Sequence, residues 1–231
     1  MIKKLYSTNN SGGDSENVFW VTMADLLLGL AIIFITLFVL AMTGFSQNKL
    51  EEHKVQAQVA QELSQKLKQE KIDAQVDNLT GQVKIADSAL FEINSYTLSA
   101  EGKAFLDKFV PVYINTVFSK PEIKDKVVNI VIQGHTDSQS FAGITSKDEQ
   151  FIRNMDLSTK RANAVAEYIF KTKYNKKYNE HLRKMLVVEG KSFTEPVLVN
   201  GKEDYNKSRR VEVKMVVKTA DINNFLENFK K

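Results

Sequence analysis

Residues 18–45 (VFWVTMADLLLGLAIIFITLFVLAMTGF) form an apolar run that carries a single charge, Asp25. An α-helix needs about 20 apolar residues to cross a bilayer, so the run predicts a transmembrane helix. This constrains the rest of the chain, which must fold as a separate water-soluble body. Placing a carboxylate among lipid tails costs about 2.5–3.5 kcal/mol on insertion scales. An acid retained at that cost usually relays protons or ions. One helix cannot shield it, so Asp25 also predicts a membrane-embedded partner. The competing reading sets Asp25 near the headgroups as part of the helix start, because it is the eighth residue of the run, about 10 Å deep at 1.5 Å per residue. Asp, however, is too short to snorkel as Lys and Arg do.

With 231 residues, the chain suits one span and one domain of ordinary size. The run is too long for the h-region of a cleaved signal peptide, and no A-x-A-like site follows it, which predicts an uncleaved anchor. Lys3 and Lys4 precede the span and Lys49 and Lys54 follow it, so charge alone does not orient it. The short head and large remainder favour a single-pass inner-membrane protein with a cytoplasmic N-terminus and a periplasmic C-terminal domain. Cysteine is absent, which excludes disulfides and thiolate metal sites and is compatible with that location. Only three histidines are present and no metal-ligand cluster is visible, so neither metal nor cofactor is expected. The net charge of +4 comes from lysines scattered among acids, without an Arg/Lys block interleaved with aromatics after the span. A direct nucleic-acid partner is therefore not expected, whereas weak attraction to an anionic polymer such as cell wall is compatible.

The head, residues 1–17, is polar and rich in Gly, Ser and Asn, with 14–17 suited to capping the helix. Within the predicted span of 18–45, Gly29, Gly44, Thr22, Thr36 and Thr43 suit close packing or a hydrogen-bonded ion path. Each Thr can equally bond back to its own helix. Residues 46–71 lack Pro and Gly, and Leu50, Val55, Val59, Leu63 and Leu67 form a sparse stripe. This predicts a helical stalk, either pairing with a second copy or standing alone as a solvated linker.

Residues 72–218 then alternate strand and helix patterns. A hairpin closes at Gly81, and a helix spans 99–118 with Ser99 as its cap and Gly102 as an early blemish. The segment VVNIVIQGHTD reads as a buried strand, 157–172 as an amphipathic helix, and KMLVVEG and RRVEVKMVVK as two further strands. Residues 219–231 read as a short helical tail. The fold class expected is an N-terminal transmembrane helix and helical stalk followed by an α/β sandwich with helices on a sheet.

Four blocks in this last region resemble the OmpA-like peptidoglycan-binding family. They are LFEINSYTLSAEG (90–102), IQGHTDS (132–138), NMDLSTKRANAVAEYI (154–169) and NKSRRVEV (206–213). Four ordered matches with fitting separations are far more specific than GHTD alone. The resemblance implies recognition of the diaminopimelate of a peptidoglycan stem, with Asp137 taking the ammonium and Arg161 the carboxylate. Asn154 would help from the preceding turn, and Arg209 or Arg210 would add charge. The chemistry is reasonable, since a guanidinium binds a carboxylate through two parallel hydrogen bonds. The alternative is an Asp137–Arg161 salt bridge that only fixes the fold. Two departures stand out. Between Asp137 and Arg161 lie 23 residues, an extended loop around 141–151 that borders the expected pocket, and Ser192 stands where the family usually has a second Gly. His135, near Asp137 and Ser158, invites a hydrolase triad, but no nucleophile elbow is present and no enzyme is expected.

The order of span, stalk and wall domain resembles the B subunits of ion-driven rotary motors, of which the flagellar stator subunit MotB is one. The segment FWVTMADLLLGLAIIF (19–34) looks most like the B subunits of Zorya anti-phage defence systems. That resemblance implies two copies of this chain encircled by five copies of a multi-span A subunit. Asp25 would carry protons or sodium ions, and the wall domain would hold the dimer still. A flagellar or gliding stator, and a passive tether between inner membrane and wall, remain the alternatives.

Overall fold

The computed structural model describes residues 13–92 and 95–218 and divides the chain into two compact units, Met1–Lys49 and Leu50–Lys231. The expected tail, 219–231, and residues 1–12 of the expected head lie outside the described residues.

The described residues of the first unit are helical. Helix α1 (Gly13–Gln69) contains Val18–Thr43, 26 residues with a mean hydropathy of 2.8, long and apolar enough to cross a membrane. The threonines bond back to the helix itself. Thr22 donates to the carbonyls of Val18 (3.0 Å) and Phe19 (2.9 Å), Thr36 to Ile32 (2.6 Å) and Thr43 to Leu40 (3.0 Å). Their hydroxyls are thus satisfied without a partner chain. The side chains of the span are exposed, Asp25 among them.

A five-stranded sheet organises the second unit. Its strands are β1 (Gln75–Val76), β2 (Val83–Ala86), β3 (Val127–His135), β4 (Leu186–Gly190) and, last in the chain, β7 (Arg210–Val217). They lie in the order β1-β2-β7-β3-β4, antiparallel except for β3 with β4. Strands β5 (Leu198–Val199) and β6 (Lys202–Glu203) form a separate small hairpin. The helices are α2 (Ala100–Phe118), α3 (Pro121–Lys124), α4 (Lys147–Lys171), α5 (Asn179–Met185) and α6 (Tyr205–Ser208). Strands β3 and β7 are buried along almost their whole length, as their runs of Val and Ile require of central strands.

Local chemistry explains the element ends. Asp77 accepts from the amides of Leu79 (3.0 Å) and Thr80 (2.9 Å), and Gly81 closes the β1–β2 turn at φ 69°. Ser99 caps α2 by accepting from Gly102 N at 2.9 Å. Gly102 is no blemish, because a Cβ there would lie 2.1 Å from the carbonyl oxygen of Leu90.

Two elements differ from the sequence reading. Helix α4 begins ten residues before the expected 157, so the second half of the extended loop is helix. Ser146 caps it, accepting from Glu149 N, Asp148 and Glu149 sit in the first turn, and Arg153 pairs with Glu149 at 2.9 Å. Charged residues hid this start, because the first turns bury little and show no apolar period. The stalk stripe also packs differently. Val55, Val59, Leu63 and Leu67 are buried in one core with Leu106, Val117 and Ile130, whereas Leu50 is 55% exposed. Glu62 pins the same face, meeting Lys66 at 2.7 Å and Lys120 at 2.8 Å. The segment from Leu50 onward is therefore part of the compact unit, not a solvated linker ahead of residue 72.

Candidate ligand cleft at the end of the central strands

Strand β3 delivers His135, Thr136 and Asp137 to its C-terminal end beside α4. The approach is close enough that only glycine fits. A Cβ on Gly134 would lie 2.0 Å from Ser158 O, and one on Gly190 would lie 2.1 Å from Thr159 Oγ1. Ser192 completes the junction. Its carbonyl accepts from Thr136 N (2.9 Å), its amide donates to Ser158 Oγ (3.1 Å), and its hydroxyl donates to Phe151 O (3.2 Å). The backbone there is left-handed at φ 51°, a conformation that favours glycine and accounts for Gly as the expected residue. Here the serine is held by its three hydrogen bonds.

A cleft of about 420 Å³ opens at this corner, lined among others by Asp87, Asp137, Asn154, Arg161 and Arg209. Two carboxylates and two guanidiniums thus face one space. Arg161, almost fully buried, donates from Nε to Ser95 O at 3.0 Å, lies 3.1 Å from Asp87 Oδ1 through Nη1, and stacks 5.4 Å from the centre of the Phe91 ring. Asp137 accepts from Arg209 through Oδ2 and from Gln139 N through Oδ1 at 3.2 Å. Arg209 in turn reaches Asn206 and, at 3.4 Å, Gln139 Oε1. Burial pushes the Asp87 carboxyl up from its ordinary value, against the pull of Arg161 and Arg209. Burial likewise pulls the Arg161 guanidinium down, against the Asp87 carboxylate. These charges are costly where they sit, and a ligand that brings opposite charges would relieve them.

The expected site residues fall out as follows. Asp137, Asn154, Arg161 and Arg209 share the cleft, and Gln139, Ser140 and Phe141 of the extended loop line it too. Asn154 lies inside α4, two turns from its start, and not on a preceding turn; it donates from Nδ2 to Gln150 O at 3.0 Å. The alternative Asp137–Arg161 salt bridge does not form, since Arg161 pairs with Asp87 and Asp137 with Arg209. Arg210 points away from the cleft. Its Nε donates to Glu212 at 2.6 Å and its Nη1 to Ser208 O and Glu195 O. Asp87 was missed in the sequence. It precedes the LF block by three residues and carries no signal beyond being an acid in a short turn.

His135 serves the other side of the sheet. Its Nε2 lies 3.5 Å from Glu212 Oε2, while Ser158 Oγ donates to Met155 O, so no triad forms. Burial works to raise Glu212, but His135 and Arg210 win and hold its carboxyl down at about 2. His135, Glu195 and Glu212 each bring one ligand-type atom within 4.8 Å of the others. Arg210 and Gln82 already occupy both oxygens of Glu212, so a guanidinium takes the place a cation would need.

Comparison with known proteins settles the relationship. Residues 90–210 match the model of the OmpA family. The Zorya protein ZorB of Escherichia coli (strain Crooks) is 30% identical over 216 residues, covering 88% of this chain and 89% of that protein. This chain belongs to the ZorB family. A second ZorB, from Escherichia coli O139:H28, is 25% identical over 215 residues, 87% of this chain and 81% of that protein. A MotB-like protein from Desulfovibrio vulgaris shares the fold at TM-score 0.52 and 19% identity, over 74% of this chain and 96% of that one. The ZorB match is longer than the OmpA-family match, which ends at residues 90 and 210.

Proposed function

We propose that this chain is the wall-anchored B subunit of a Zorya-type, ion-driven rotary motor in the bacterial inner membrane. Two copies stand within a ring of five multi-span A subunits, with N-termini cytoplasmic and OmpA domains periplasmic. Asp25 carries the transported ion, proton or sodium. Neutralising and recharging a carboxylate in low dielectric changes its solvation cost by several kcal/mol, which supplies the lever for stepping the A ring. The OmpA domain holds the dimer to peptidoglycan. In its cleft, Arg161 and Asp137 receive the carboxylate and ammonium of a diaminopimelate stem, while Asp87 and Arg209 hold the two receivers in place until the ligand arrives. Arg210 keeps a supporting role behind the sheet.

One combination carries this reading: a span with a single acid and a four-charge OmpA cleft in the same chain. A tether needs the cleft but has no use for Asp25. The test is phage plating on cells expressing the chain with its genomic neighbours, comparing wild type, Asp25→Asn and Arg161→Ala at matched membrane abundance. Protection lost in both variants is the expected result. Protection that survives Asp25→Asn would overturn the motor and leave the tether.

A further inference from the structure

A second hollow, of about 290 Å³, opens beside β2 and α6 and is lined by three cations, Lys84, Lys207 and Arg210, against one acid, the exposed Asp73. Strand pairing explains the cluster. Ala86 pairs with Arg210 and Lys84 with Glu212, so strand alternation puts Lys84, Ala86 and Arg210 on one face of the sheet. Ala86 offers only a methyl opposite Arg210, which leaves the space open. Several donors around it are unused. Arg210 is 7% exposed; Glu212 takes its Nε, and the carbonyls of Ser208 and Glu195 take its Nη1. Its Nη2, with two N–H groups, has no hydrogen-bond partner among the described residues. Asn206 accepts from Arg209 through Oδ1, and its Nδ2 is likewise without a partner among the described residues. Lys84 makes no ion pair among them, and Lys207 meets Asp204 at 3.2 Å with one of its three donors. A guanidinium arm, an amide and two ammonium groups around one space suit a carboxylate, which only accepts.

The hollow adjoins the cleft. Ser88 lines both, and Asn206 of the hollow meets Arg209 of the cleft. Ala86 of the hollow and Asp87 of the cleft are consecutive residues, about 3.8 Å apart at Cα, so the rim between the two spaces is narrow. A peptide held in the cleft therefore reaches the hollow with its next residue.

Resting on the reading that the cleft takes the diaminopimelate of a peptidoglycan stem, we infer that the hollow is a second subsite of the same stem, for the free α-carboxylate of the γ-linked D-glutamate that precedes the diaminopimelate. Lys84, Arg210 Nη2 and Asn206 Nδ2 receive that carboxylate, and Lys207 adds charge at the rim. Charge complementarity selects the occupant, and attachment to a residue already held in the cleft keeps its effective concentration high.

The test is calorimetric titration of the full chain in nanodiscs with three probes: meso-diaminopimelate, γ-D-glutamyl-meso-diaminopimelate, and that dipeptide with its glutamate α-carboxylate amidated. The acid dipeptide is expected to bind about tenfold tighter than the amide, as a charge-assisted contact requires. In the double variant Lys84→Gln, Lys207→Gln that advantage should disappear while the affinity for meso-diaminopimelate stays. Neither lysine is buried, so the variant should fold, and an unchanged Tm verifies it. Equal affinities of acid and amide for the wild type would overturn the subsite and leave the cleft standing. An equal loss for all three probes in the variant would also overturn it, because the lysines would then act through the general field. No binding of any probe to the wild type would overturn the cleft reading and the subsite together.

Discussion

Leu63→Ala tests whether the segment after the span belongs to the domain. Leu63 is fully buried, and the change removes three carbon groups from it. At about 0.8 kcal/mol per methylene the transfer cost is about 2.4 kcal/mol. The cavity left behind adds to it, for a total of about 3–4 kcal/mol. For a unit of this size each kcal/mol lowers Tm by about 2–4 °C, so a drop of about 10 °C is expected. Leu50→Ala is the internal control, since Leu50 is 55% exposed and should shift stability by less than about 0.5 kcal/mol. The assay is thermal unfolding of the detergent-solubilised chain by far-UV circular dichroism, repeated after tenfold dilution. Equal, small shifts in the two variants would refute packing of the stripe on its own domain. A Leu63 loss that depends on protein concentration would instead mean that the stripe packs against a second copy.

Two further substitutions probe the sheet. Glu212 is held at about 2 in the folded state, below the ordinary carboxylate value, so it contributes stability above pH 4.5 that is lost as pH falls toward 2. Acid unfolding of Glu212→Gln should be flatter than wild type by on the order of 3 kcal/mol across that window, and a parallel curve would rule the His135–Glu212–Arg210 cluster out as its source. Gly134→Ala drives a methyl to 2.0 Å from Ser158 O, so the variant should lose folded yield and peptidoglycan sedimentation together. A variant with wild-type Tm would show that β3 and α4 are free to separate.

Much of this protein is written in local pattern. The span follows from an uninterrupted apolar run, and Asp25 is conspicuous because nothing around it is charged. The cap at Ser99, the turn at Gly81 and the strand in VVNIVIQGHTD depend on neighbours a few residues away; the structure has the cap and the turn as expected and the strand two residues shorter, ending at His135. The four blocks placed the OmpA domain correctly because they mark the positions where strand, helix and loop must meet.

Contacts between distant residues were decided only by the tertiary structure. Asp137 and Arg209 lie 72 positions apart, and Arg161 is matched to an acid 74 positions earlier, so no local signal selects either pair over the alternative Asp137–Arg161 salt bridge. Adjacent Arg209 and Arg210 look equivalent in sequence, yet Arg209, the C-cap residue of α6, reaches the cleft, while Arg210, the first residue of β7, turns to Glu212. The stripe from Val55 to Leu67 announced that one helix face would be buried but not what would cover it. Hydrophobic periodicity encodes how much surface must leave water, while the identity of the covering surface is a property of the closed fold.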